Sequence, residues 1–158
     1  MDCASIALAA LMAITNPPSN VAAETASDAI CKASQAHGIH PSWMVAYLAV
    51  ENRDYHIVGT GSDTGLFQVN LHWHRDKLGA DIYDYYAQAN ASAEIISENI
   101  SEFGLTWNAV AAYNSWNQAS KETDIARAYY EKWQSKLKAI IGLWQSDVAM
   151  NKGGQNGV

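Results

Sequence analysis

The run Tyr47 to Val50 ends on Glu51, where helical periodicity asks for another core residue. On a helix beginning near Pro41, residues 44, 47, 48 and 51 share one face, so Glu51 extends the buried stripe formed by Met44, Tyr47 and Leu48. Desolvation raises the pKa of a carboxyl group, and the negative end of a helix dipole raises it further. A carboxylic acid that keeps its proton near neutral pH can protonate a leaving group. The simpler alternatives are a side chain that bends out to solvent, or an ion pair with Arg53.

Two further segments carry groups suited to a polar ligand. In "GSDTGLFQVN", Gly61 and Gly65 let a loop pass close to a ligand, and Gln68 offers both donors and an acceptor. Leu66 stands between them, and Phe67 serves as a ring face or as core filling. In "AAYNSW", a phenol and an amide, Tyr113 and Asn114, end an Ala-rich helix, where a core Tyr with a capping Asn is the alternative. Chemistry that pairs one carboxyl with another needs a second acid. Asp54, Asp63 and Asp76 are near in sequence, and each reads more simply as a loop residue. "HWH", His72 and His74, with Asp76 could share a face only on an extended segment. Surface or packing histidines are the plainer reading, and neither a metal nor another cofactor is expected.

The elements that must position these groups read as helices joined by short loops. "NPPSN", Asn16 to Asn20, breaks the chain. A short helix follows, with Ser27 as its N-cap and Gly38 as its stop. The next runs from Pro41, and residues 52–65 form a loop. "LFQVNLHWHRDKLG" reads as a short helix or irregular turn. Ile95, Ile96, Ile100 and Phe103 recur at helical spacing before Gly104, and Thr106 caps a helix through "WNAVAAYN". From Asp124 a long helix carries a stripe of Ile125, Tyr129, Trp133, Leu137 and Ile141. No segment alternates strongly as a strand. The fold class expected is a mainly α, compact single domain.

Composition narrows the function classes. The chain has 158 residues, 49% of them apolar, enough for one core. Its formal net charge is −6 and no basic patch dominates, which argues against nucleic acid as a partner. Cys3 and Cys31 form either one disulfide in an oxidising compartment or two buried thiols. "ASIALAALMAI", Ala4 to Ile14, is too short to span a bilayer, so no integral membrane span is expected. Residues 1–26 read as a signal peptide, with a small-residue site at Val21 to Ala23, or as an N-terminal helix and linker. The polar end, 146–158, reads as a flexible tail.

Glu51-Asn52, Gly65-Leu66-Phe67-Gln68 and Ala112-Tyr113-Asn114-Ser115-Trp116, in that order, resemble the motifs of the soluble lytic transglycosylase family. The similarity is greatest to its small specialised members that serve secretion, conjugation and pilus systems, and it covers about Cys31 to Trp116. The resemblance implies a goose-type lysozyme-like fold, with residues 27–145 as the catalytic domain. It implies cleavage of the β-1,4 bond between N-acetylmuramic acid and N-acetylglucosamine in peptidoglycan, with a 1,6-anhydromuramyl product. Glu51 would act as acid and then base. Gly65, Leu66, Phe67 and Gln68 would line the glycan cleft, Tyr113 would orient the Glu51 carboxyl, and Asn114 would support the same wall. Peptidoglycan strands would be the partner, together with a secretion, conjugation or pilus assembly, in the periplasm or another exported location, and a phage-encoded origin is compatible. Three positions depart from the family: Asn52 for Ser, Phe67 for Met, and Ser115-Trp116 for Ala-Gly. The competing readings are a lysozyme-type hydrolase of the same bond and a non-catalytic peptidoglycan-binding or assembly subunit.

Overall fold

Helix α3, Pro41–Glu51, is the axis of the molecule. Its residues Met44 to Ala49 are all buried. A helix that is apolar all round must be covered on every side, and the remaining elements do this. The structure, a computed structural model, describes residues 2–57, 59 and 61–153, with side chains through Gln145.

Helix α1, Cys3–Ile14, is capped by Asp2, whose carboxylate accepts from the Ser5 N–H at 2.8 Å. It buries Ala7, Ala10 and Leu11 completely. After the Pro-Pro break, α2 runs Asn20–His37, capped by Ser19 and stopped by Gly38 in the left-handed conformation. Ser27 therefore lies inside α2 and is not its N-cap; its hydroxyl donates to the Ala4 carbonyl at 2.5 Å. The segment 20–26 is correspondingly helix rather than linker, because Ser19 is the first residue beyond the prolines that can cap. Cys3 and Cys31 are joined as a disulfide that ties α1 to α2.

The loop after α3 contains a two-residue hairpin, β1 Asp63–Thr64 against β2 Val69–Asn70, paired Asp63↔Asn70 and Thr64↔Val69. Helix α4, Leu71–His74, and a 3-10 turn, Arg75–Lys77, follow. Helix α5, Tyr85–Phe103, is capped by Asp84 and ended by Gly104. Two short helices, α6 Trp107–Ala112 and α7 Trp116–Ser120, lead into α8, Asp124–Gly153. The last of these continues past Ser146, so residues 146–153 are helical and not the loose tail the polar sequence suggests; 154–158 lie outside the described residues. Helix α3 packs on α1 and α8, α2 on α1 and α5, and α6 on α5, α7 and α8. Among the described residues the architecture is a mainly α single domain, and no helix is long and apolar enough to cross a membrane.

The buried face of α8 differs from the expected stripe. Ala126, Tyr129, Trp133 and Ile140 are buried, whereas Ile125 and Ile141 are 61% and 39% exposed. Strict four-residue steps drift by about 40° each around an α-helix. Over the sixteen residues from Ile125 to Ile141 the drift carries the ends off any single face. The real seam mixes steps of three and four, through Ala126, Tyr129, Trp133, the partly buried Leu137 and Ile140.

The disulfide closes a segment with a sequence separation of 28. Breaking it with a Cys3→Ser, Cys31→Ser double variant should lower stability by about 3–4 kcal/mol on loop-entropy grounds. Urea unfolding monitored by circular dichroism measures this, and an unchanged midpoint would contradict it.

Candidate active site

Glu51 closes the C-terminal end of α3 and opens on a cleft of about 870 Å³. Its carboxyl is pushed up from 4.5 to about 7, mainly by burial. A neighbouring anion, Asp63, raises it further, while the Tyr129 hydroxyl, donating to Oε1, pulls it down. No ion pair to Glu51 forms among the described residues, and Arg53 is exposed. The carboxyl owes its burial to the packing of α3 on all sides more than to a single apolar stripe.

The hydroxyl on Glu51 is that of Tyr129, from α8, and not that of Tyr113. Tyr113 lines the same cleft, but its hydroxyl donates to the Phe67 carbonyl at 2.9 Å. Its ring stacks obliquely on Tyr47, with centroids 4.8 Å apart. The reason is reach: Tyr113 follows the end of α6 and meets the turn, whereas α8 lies directly on α3. Burial, then the nearby Glu51 charge, push the phenols of Tyr113 and Tyr129 above the ordinary tyrosine range, so both stay protonated donors.

The Gly65–Gln68 turn forms part of the cleft edge, though with a different division of labour from the one expected. Leu66 and Phe67 are 3% and 0% exposed and belong to the core; neither they nor Gly65 line the cleft. Gln68 does line it, but its Nε2 donates to the Gly65 carbonyl at 2.9 Å, and its backbone is left-handed at φ 51°. Gly65 sits at φ 73°, and a Cβ there would fall 2.3 Å from Gln88 Nε2. Gln88, fully buried on α5, accepts from the Phe67 N–H at 3.1 Å and donates to the Ile82 carbonyl at 2.7 Å. Asn52 clasps the loop from the other side. Its Nδ2 donates to the carbonyls of His56 and Gly65 at 2.8 and 3.1 Å, and its Oδ1 accepts from the His56 N–H at 2.7 Å. Four side-chain groups thus hold one short turn, which is why its conformation tolerates a left-handed glutamine.

Asn114 is exposed on the cleft wall, beside Trp116. Of the three aspartates, only Asp63 faces the cleft; its Oδ1 accepts from Asn70 Nδ2 at 2.8 Å. Asp54 instead accepts from Asn16 at 2.6 Å, and Asp76 lies in the 3-10 turn. Lys77 Nζ donates to Glu94 and Glu98 at 2.7 and 2.6 Å, fastening that turn to α5 and with it the wall carrying Trp73 and His74. Burial holds the His74 imidazole below its ordinary value. Among the described residues no three His, Cys, Asp or Glu side chains gather as metal ligands.

Sequence reasoning missed Tyr129 and Gln88 as parts of the site and took Asp63 for a loop residue. A tyrosine within a helix stripe has the same sequence signature whether its hydroxyl meets a carbonyl or a carboxylate. No protein-family model, curated protein or solved structure matches this chain.

Because burial penalises the ionised Glu51, the folded state loses stability as pH rises from 4.5 to about 7. Glu51→Gln removes that loss, so the variant should match the parent near pH 4 and exceed it at pH 8, by at most about 3 kcal/mol. Thermal unfolding at the two pH values checks the sign. Tyr129→Phe should move the Glu51 midpoint upward, read by carboxyl NMR; a downward move would show that the hydroxyl does not stabilise the charged form.

Proposed function

We propose that this protein is a peptidoglycan lytic transglycosylase. The observation that carries the reading is a largely buried carboxyl, Glu51, raised to about 7 and opening on a cleft bordered by the Gln68 turn and the Tyr113-Asn114 wall. The three motifs resembling the family meet around one cavity, which supports the same reading.

In this scheme protonated Glu51 gives its proton to the oxygen bridging N-acetylmuramic acid and N-acetylglucosamine. As that bond breaks, positive charge grows at the muramyl C1, and Asp63, which shares the cleft with Glu51 and acts on its charge, is a candidate to offset it. Glu51, now a carboxylate, takes the proton from the muramyl C6 hydroxyl as that oxygen bonds to C1. The 1,6-anhydro ring closes, water is not consumed, and Glu51 is reprotonated for the next cycle. Tyr129 holds the carboxyl in place through both proton transfers. Its hydrogen bond favours the anion, which keeps the pKa near neutrality rather than higher still.

A second reading, hydrolysis of the same bond, is favoured by one observation: Asp63 shares the cleft with Glu51. A second carboxylate is what an activated water or a covalent glycosyl intermediate requires. Export to an oxidising compartment such as the periplasm accords with the Cys3–Cys31 disulfide. Service to a secretion, conjugation or pilus assembly is part of the same proposal and rests on the motif resemblance.

Mass spectrometry of digested cell walls separates the two chemistries. Anhydromuramyl ends are expected, and reducing ends heavier by one water would transfer the proposal to hydrolysis. Glu51→Gln should lower turnover by at least about 10²–10⁴-fold while the circular dichroism spectrum stays unchanged. The kcat/KM profile should fall above about pH 7, as the acid form of Glu51 is lost. Activity that keeps rising from pH 7 to 9 is incompatible with Glu51 as the proton donor.

A further inference from the structure

Three side chains of the cleft have no part in the proton transfers: Trp116 at the start of α7, Trp73 on α4 and Asn99 on α5. The two rings are unusually open for tryptophan, 52% and 72% exposed. Each has one ring neighbour: Trp116 leans on Phe103 at 5.8 Å between centroids, and Trp73 makes a T-shaped contact with His72 at 4.4 Å. Open aromatic faces in a groove that mixes apolar and polar lining suit the C–H face of a pyranose ring. Asn99 is only 7% exposed, and its buried Nδ2 has no acceptor in the protein. An unpaired buried donor makes a ligand acceptor unusually rewarding, and a half-turn about the soft χ2 torsion, which exchanges Nδ2 with Oδ1, would bring that donor to the cleft that Asn99 lines. A neutral acceptor suits the site, because Glu102 lines the cleft one turn of α5 beyond Asn99 and would repel a carboxylate or phosphate, whereas the Glu98 charge is already paired with Lys77.

We propose that Trp116, Trp73 and Asn99 form a subsite selective for a 2-acetamido sugar, the rings taking the pyranose face and Asn99 donating to the acetamido carbonyl. This deepens the reading of the cleft as a glycan site, and concerns binding rather than bond cleavage. It also gives Trp116, where the motif resemblance expects glycine, a positive task.

The test is calorimetric binding of chitotetraose and cellotetraose, which differ in the acetamido group, to the full chain carrying Glu51→Gln so that neither is cut. Chitotetraose should bind about tenfold more tightly, the worth of one well-placed hydrogen bond. Asn99→Leu should erase that preference without lowering the melting temperature, since it replaces an unpaired donor by an apolar group of similar shape. Trp116→Ala should weaken both ligands alike. Equal binding of the two sugars, no binding of either, or a preference that survives Asn99→Leu each overturns the subsite. Cleavage of cell walls dependent on Glu51 would stand in all of those cases, and a subsite that behaves as stated would stand even if no wall is cut.

Discussion

The enclosure of one carboxyl at the end of a fully covered helix is the constraint on which the other features hang. Glu51 is the last residue of α3, and helix α8, which packs on α3, also sets the Tyr129 hydroxyl on Glu51. Water withdrawn from a carboxylate is costly, so the group keeps its proton to about pH 7. The Tyr129 hydroxyl limits that effect and fixes the direction of the carboxyl. The site therefore depends on α8 lying against α3, a contact made of Tyr47, Trp133 and their neighbours. Loosening that contact would let water in, lower the pKa, and release the hydroxyl at once.

The second organising feature is the short turn from Gly65 to Gln68. Its main chain is held by Asn52 from α3, Gln88 from α5 and Tyr113 from beyond α6. Three elements distant in sequence converge on a few backbone groups. Such a turn is rigid before any ligand arrives, which spares a binding reaction the ordering cost that a mobile loop would carry. Asn52, which stands where the motif this chain resembles has serine, contributes by hydrogen bonding the loop. Its amide bonds three backbone groups where a serine hydroxyl has only one proton to donate.

Much of the helical framework was legible in the residues. Gly38, Gly104 and Pro41 mark ends that the structure respects. Signals that depend on local backbone chemistry translate directly, because only nearby residues compete. The misreadings fall where local logic has two answers. Ser19 and Ser27 are both competent N-caps, and the helix starts at the first that follows the prolines, which leaves the Ser27 hydroxyl to bond the Ala4 carbonyl of α1. The stripe of α8 was drawn at fixed four-residue steps, and the drift of the helix moved Ile125 and Ile141 out of the core. Leu66 and Phe67 were placed in the cleft by the motif resemblance, yet both are buried in the core beside the left-handed positions Gly65 and Gln68.

The identity of the carboxyl, the glycines that permit the turn, and the types of polar group available were all set by the sequence, since each depends on what a residue is. Which hydroxyl reaches Glu51, which aspartate shares its cleft, and which amide lacks a partner were decided by the tertiary structure alone. Tyr113 and Tyr129 have the same chemistry, and so do Asp54, Asp63 and Asp76. Only the stacking of α8 on α3 and the pairing of β1 with β2 choose among them, because a hydrogen bond or an electrostatic neighbour is fixed by distance in space, to which distance along the chain is no guide.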